Sequence, residues 1–284
     1  MPDDWRASAA WQAGVPKIDI SLANVARASN YMVGGKDNFE ADRVAAQQLM
    51  EVAPVIRVAA PASRAFLGRA VRYLAGKAGI RQFLDIGTGL PTAGNTHEVA
   101  QSVAPECRIA YVDNDPVVLS HARALLTSDP AGVTSYIDAD ARDPDKIVME
   151  AGATLDFREP VAIMMIDLLN FIDDDEAAGS ILSRLAAAVP SGSYFAIMHP
   201  ASDLDPALLE AERRWNQLAA QRVRLRSRQD MTRLLAGLQL VEPGLVTVPE
   251  WRPDEREQAP AQPVPLYGVV ARKPAGYPQC RPDV

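Results

Sequence analysis

The sequence predicts an α/β fold, a mainly parallel sheet of seven strands behind an N-terminal helical cap, and three observations carry that reading. From Gly79 onward, short apolar runs alternate with stretches of helical period, the pattern of repeated strand, helix, strand units. Between Ser21 and Gly79 the period is helical. Carboxylates and glycines collect at the ends of the strand candidates, where the ligand crevice of an open parallel sheet lies.

Taken in order, residues 1–20 hold Trp5, Trp11, Gly14 and Pro16 without a sustained period and predict an irregular arm. Ser21 is placed to cap a first helix with Leu22, Val25, Ala26, Met32 and Val33 on one side, and Gly34 with Gly35 to end it. A second helix spans 39–50, capped by Asn38 and limited by Pro54. A third covers about 62–76, where Phe66, Leu67, Ala70, Val71 and Leu74 form one stripe. Strands are predicted at 82–86, 108–112, 134–138, 161–166, 194–198, 237–241 running on towards 248, and 266–271. Helices at 95–103, 116–127, 144–151 and 176–189 join the first five strands, and two more, 206–222 and 228–236, precede the last pair. The prolines at 249, 253, 260, 263 and 265 predict a surface excursion over 249–265. The division is an arm and cap over 1–78, a ligand-binding domain over 79–273 and a loose tail over 274–284.

The 284 residues carry 36 acidic and 29 basic side chains, a net charge of −7, which argues against a general nucleic-acid or anionic-membrane binder. Cys107 and Cys280 are too few for a disulfide framework or a four-thiolate zinc module. The longest apolar run, 161–166, stops at Asp167, far short of a membrane span, and the acidic start lacks the apolar core of a signal peptide. A cytoplasmic protein with no membrane partner is expected; the oligomeric state is not legible.

The sharpest chemical feature is the strand and turn Phe83-Leu84-Asp85-Ile86-Gly87-Thr88-Gly89, whose glycines let the backbone approach a ligand closely. Asp113, in Tyr111-Val112-Asp113-Asn114-Asp115-Pro116, follows Gly89 by 24 residues, and an acid at the second strand's end is placed to accept from both hydroxyls of a ribose. Asp115 is placed to cap the next helix, with Pro116 at its first position. A dinucleotide fingerprint would need glycine at position 92, which is Thr92, so a nicotinamide oxidoreductase fits poorly. The next helix begins only near Asn95, where Asn95 and Glu98 have capping-box spacing, which holds its positive end back from a pyrophosphate. A phosphate-free ligand of ribose, adenine and amino acid suits these residues, with Asp140 and Ala141 in Asp138-Ala139-Asp140-Ala141 placed to read the adenine edge. Together they fit S-adenosyl-L-methionine.

These three segments resemble the cofactor motifs of class I S-adenosylmethionine-dependent methyltransferases over roughly residues 80–272. Gly34-Gly35-Lys36-Asp37-Asn38-Phe39, Gly89-Leu90-Pro91-Thr92 and Val112-Asp113-Asn114-Asp115-Pro116 also resemble an actinobacterial S-adenosyl methyltransferase family of unidentified acceptor. The resemblance implies a Rossmann-like sheet with its last strand antiparallel. It also implies roles: Asp85 near the amino-acid end, Gly87, Thr88 and Gly89 around the methionine and ribose, Asp113 on the ribose, Asn114 along the adenine, and Asp140 with Ala141 at its edge. Asp167 to Asn170 matches the fourth motif, where the acceptor approaches the methyl group; Asp167 counts with the cofactor contacts and Asn170 with the acceptor's.

Tyr31, Lys36 and Asp37 read either as a helix corner or as a lid over the cofactor, with Lys36 pairing its carboxylate and Arg57 or Arg64 as substitutes. Among three histidines, His199 at the fifth strand's end is the first choice for a base, ahead of His97 and His121, with a structural role weighed against it. Asp173-Asp174-Asp175-Glu176 reads as a helix start favoured by the dipole rather than a metal site, and none is expected. Arg222, Arg224, Arg226 and Arg228 read as a solvated helix junction. The sequence thus points to a methyltransferase acting on a small molecule, with a non-catalytic cofactor sensor as the alternative that Asp167 and Asn170 keep open.

Overall fold

The structure, a computed structural model, describes residues 19–91, 93–125, 127–219, 221–254 and 263–277. Thr92, Cys280, the tryptophans of the N-terminal arm and the end of the tail lie outside them. Helix α1, Val25–Met32, is capped by Asn24 rather than Ser21: the Asn24 Oδ1 accepts from the N–H groups of Ala26 and Arg27, while Ser21 donates to Asp19. Helix α2, Glu40–Val52, starts at Phe39, and Asn38 is not its cap. The Asn38 amide instead bonds Asn30 and the Gly35 carbonyl. The buried Asp42 carboxylate accepts from Phe39 N, Asn24 N and Arg27 Nε, all at 2.8 Å, and so ties the starts of both helices together. Helix α3, Ile56–Gly76, begins before its apolar stripe and runs through Pro61.

The remaining elements follow the expected alternation. Strands β1 (Gln82–Ile86), β2 (Arg108–Asp113), β3 (Val133–Asp138), β4 (Ala162–Ile166) and β5 (Tyr194–Pro200) are parallel. Helices α4 (Thr96–Val103), α5 (Pro116–Leu125), α6 (Pro144–Ala151) and α7 (Asp175–Ala188) join them, followed by α8 (Pro206–Leu218) and α9 (Arg228–Leu234). The expected sixth strand is two short ones, β6 (Gln239–Leu240) and β7 (Val246–Thr247). Pro243, with no N–H to give a ladder, and Gly244, at φ 90°, interrupt it. Both pair antiparallel with β8 (Leu266–Arg272), itself antiparallel to β5. The order β3-β2-β1-β4-β5-β8-β6 reverses between β1 and β4, which opens a crevice at their C-terminal ends.

Alternation along the strands fills both faces of the sheet. Leu84, Val112, Ile163 and Ile197 pack against α6, α7 and α9, and Phe83, Ile109, Met164 and Val270 against α3 and α4. A third cluster joins α1 and α2 to Leu208, Ala211 and Trp215 of α8. The cap cluster is therefore drawn from α1, α2 and α8, with Ile56 and Val58 at the start of α3 packed against it, while Phe66 to Ala75 of α3 pack with the sheet. The proline-rich excursion also does not start at the surface. Trp251 is fully buried, edge-on to Phe66 with ring centroids 5.5 Å apart, and Arg69 bonds the carbonyls of Val248 and Trp251. Burying an indole outweighs the prolines beside it. No helix among the described residues is long and apolar enough to cross a membrane.

Candidate functional site

The reversal of strand order places the β1 turn against the end of β4. Gly87 has φ 75°, and a Cβ there would lie 2.6 Å from the Leu168 side chain, so only glycine lets the two strand ends close. Gly89 has φ 64°, and a Cβ there would meet nothing within 4 Å. The open space belongs to a cavity of about 370 Å³ whose walls include Asp85, Gly87, Thr88, Gly89, Asp113, Asn114, Asp167 and Asn170. Eight of the residues singled out in the sequence are thus brought together.

Asp113 fastens this end of the sheet. Its two oxygens accept from Gly89 N at 3.0 Å and Asp115 N at 2.9 Å, and burial pushes its carboxyl upward from the usual range. Asp115 caps α5 as expected, accepting from Val117 N. Strand alternation turns Asp85 towards α3 and α4, where Thr96 Oγ1 donates to it at 2.5 Å. Burial raises the Asp85 carboxyl to about 6, against the pull of Thr96 and of Arg64 on α3. Arg64 also lines the cavity, whereas Arg57 does not.

Asp167, directly after β4, has φ 57°, a left-handed conformation that few residues other than glycine adopt. Burial pushes its carboxyl up to about 6, while a hydrogen bond from Asn170 pulls it down. Asn170 is 4% exposed, and its Oδ1 has no hydrogen-bond partner among the described residues. An unmet buried acceptor of this kind costs about 1–3 kcal/mol.

Other expected residues stand away from the walls. Asp140 is tied to the site through Asn114, whose amide donates to it at 3.2 Å, and Ala141 follows on the same segment. Tyr31, Lys36 and Asp37 do not line the cavity, although their neighbours Asn30, Met32 and Val33 do. Tyr31 bonds Gln47, Lys36 is exposed, and Asp37 lies 3.4 Å from His121. Met198 and Pro200 of β5 face the cavity, so alternation turns the intervening His199 away from it. The His199 ring is fully buried: Nδ1 donates to the Pro200 carbonyl at 2.8 Å, leaving Nε2 to accept from Arg226 Nη1 at 3.0 Å. Burial pushes its pKa down to about 3. With both ring nitrogens engaged, it has no free site for an acceptor's proton.

Two features were missed or misread from the sequence. Arg226 is not part of a solvated junction but fully buried, bonding the carbonyls of Leu169 and Ile172 and the Asp175 carboxylate. Its neighbour Arg224 also pairs with Asp175, and Asp174 caps α7, which accounts for two of the clustered acids. The outer cavity wall comes from α8 and the segment after it, through Leu208, Trp215, Val223 and Leu225. The amphipathic period of 206–222 marks the helix, but nothing local says what it covers.

Chemically, the inner walls set Asp85, Asp113, Asp115 and Asp167 against the guanidinium of Arg64. The N-terminus of α4 is taken by its own Glu98, which accepts from Gly94 N and Asn95 N, the predicted capping box. A phosphate finds no backbone cradle there and faces like charge. A ligand with hydroxyl donors and positive charge is matched.

A family model described as S-adenosyl methyltransferase matches residues 11–274. Among solved structures, a DUF574 family protein from Streptomyces avermitilis is 42% identical with a TM-score of 0.87, the match covering 91% of this chain and 100% of that one. A candidate methyltransferase from Thermobifida fusca is 38% identical with a TM-score of 0.83, over 90% of this chain and 97% of the other. No curated protein matches the chain.

Proposed function

The chain belongs to the S-adenosyl methyltransferase family, and on that premise we propose that it methylates a small-molecule acceptor held in the cavity under its helical cap. Its cofactor is S-adenosyl-L-methionine, which supplies a methyl group activated on a sulfonium. The observation that supports the reading is the acid-lined cavity at the reversal of strand order. In this assignment Asp113, already fixed by two backbone N–H groups, accepts from the ribose hydroxyls with its remaining lone pairs. Gly87, Thr88 and Gly89 run beside the methionine and ribose, and Asn114, held by an Asp140 that stands off the cavity wall, lies along the adenine. Asp85 faces the amino group. Arg64 rather than Lys36 meets the carboxylate in this assignment, a reading supported by its lining the cavity. Asp167 and Asn170 stand where cofactor and acceptor meet. The cap, closed by the cluster of α1, α2 and α8, excludes water during transfer. The non-catalytic sensor has no observation in its favour, and a cytoplasmic location fits the composition.

Calorimetric titration tests this directly: S-adenosyl-L-homocysteine is expected to bind and NAD not to, and preference for NAD ends the proposal. Binding also has a predicted pH dependence. Burial holds the Asp85 carboxyl at about 6, and a ligand ammonium favours its ionised form. Binding therefore releases a proton near pH 6, and affinity rises with pH. Between pH 5 and 7.5 the dissociation constant should fall by about tenfold for each carboxylate that must ionise. A flat profile would remove Asp85 from the amino-group contact.

A further inference from the structure

We propose that Asp167 is the general base of the transfer and that the acceptor is a neutral, apolar-bodied hydroxyl compound. This deepens the function proposed above and rests on it. Asp167 is built into the cavity wall: its N–H donates to the Met198 carbonyl at 3.2 Å, and the next residue, Leu168, packs on the Gly87 turn. Its backbone is held at φ 57°, the kind of strain that persists where the surroundings over-determine a conformation. Asn170 steadies the carboxylate and is itself fixed, its carbonyl accepting from Arg224 N at 2.7 Å. Among the described residues Asp167 enters no ion pair within 4.0 Å. Burial brings its carboxyl close to neutrality, where a base is both ionised and able to take a proton. His199, the alternative expected from the sequence, has both ring nitrogens occupied.

The walls beyond Asp167 define the acceptor's body. Met32, Leu49, Leu208, Trp215, Val223 and Leu225 form an apolar enclosure, with the Glu212 carboxylate also on its lining. An acceptor bearing phosphate or carboxylate would meet Glu212 and Asp167 with like charge. An amine beside Asp167 would be held as its ammonium, which has no lone pair to react. A hydroxyl gives the same carboxylate the proton that has to leave. In the step, the acceptor oxygen bonds to the methyl carbon, the carbon–sulfur bond breaks with its electron pair going to sulfur, and the hydroxyl proton passes to Asp167 and then to solvent.

The test reads proton position rather than turnover. Protein saturated with S-adenosyl-L-homocysteine is titrated with 4-nitrophenol, an aromatic hydroxyl whose ionisation changes its visible absorbance. Saturable binding is expected, with ionisation of the bound probe displaced to higher pH, its ionisation constant lowered by about tenfold or more. Asp167→Asn, well suited to a left-handed backbone, is titrated at an S-adenosyl-L-homocysteine concentration that saturates the variant, and should lose most of the displacement, burial and Glu212 accounting for what is left. An unchanged displacement in the variant, or no saturable binding by protein that does bind S-adenosyl-L-homocysteine, overturns the assignment of Asp167. In a separate assay, methyl transfer from S-adenosyl-L-methionine to cyclohexylamine in preference to cyclohexanol overturns the hydroxyl acceptor. Failure to bind S-adenosyl-L-homocysteine would instead sink the proposed function itself.

Discussion

Asp113→Ala is expected to raise the dissociation constant for S-adenosyl-L-homocysteine by about 10- to 150-fold, the equivalent of roughly 1.5–3 kcal/mol for hydrogen bonds to a charged acceptor. The expectation combines two losses. One is the acceptor itself, the carboxylate proposed to meet both ribose hydroxyls. The other is order: the same oxygens hold Gly89 N and Asp115 N, so the alanine variant frees the turn that edges the cavity and the start of α5. Asp113→Asn separates the two, since its single amide oxygen can still accept one of the backbone N–H groups but carries no charge. Calorimetry should place the asparagine variant between wild type and alanine, and thermal unfolding should show both variants folded. A folded Asp113→Ala protein with wild-type affinity would remove the ribose assignment.

The parts of the molecule legible in the sequence are those written in local pattern. Strand β1 and helix α6 fall at 82–86 and 144–151 as expected, because a short apolar run, a glycine turn and a proline at the first helical position are each encoded within a few residues. The acid at the end of β2 and the capping box at Asn95 were readable for the same reason. What failed depended on distant contacts. Four arginines at alternate positions, 222 to 228, look alike in sequence, and only the meeting of β5, α7 and the turn after β4 selects Arg226 for burial. The wall supplied by α8 depends on its docking onto α2, more than 150 residues earlier in the chain. His199 is the instructive error. Its position at a strand end suggested the crevice, but the side chains of Met198 and Pro200 occupy that side, and period-two alternation alone assigns His199 to the other.

Arg226→Met should produce the largest loss of stability, about 3–5 kcal/mol by urea unfolding at pH 7, the range seen when one partner of a buried ionic network is removed. The guanidinium bonds Leu169 O at 2.6 Å, Ile172 O at 2.7 Å, Asp175 Oδ1 at 2.8 Å and His199 Nε2 at 3.0 Å. Methionine fills much of the volume but leaves two carbonyls and a ring nitrogen unmet. A change in pH dependence should accompany the loss. His199 is held neutral, chiefly by burial and further by the nearby Arg226 charge, with its pKa down at about 3. An unfolded histidine takes up a proton near pH 6.5, so the native state binds fewer protons between these values, and stability falls as pH drops from 6.5 towards 3. Asp85 and Asp167 act in the opposite sense: their folded pKa values are raised to about 6, so they disfavour the native state as pH rises from 3.8 through 6. His199→Gln deletes the first contribution and leaves the second, so its stability should decline less on acidification than that of wild type. Arg226→Met should do the same in part, because the repelling charge is gone. None of these contacts touches Asp113, so folded Arg226→Met should still bind S-adenosyl-L-homocysteine through the ribose contact, any weakening coming from the loosened turn that carries Asp167 and Asn170. A loss below about 1 kcal/mol, the level of an exposed ion pair, would mean that solvent replaces the guanidinium and that the turn carrying Asp167 and Asn170 is held by other contacts.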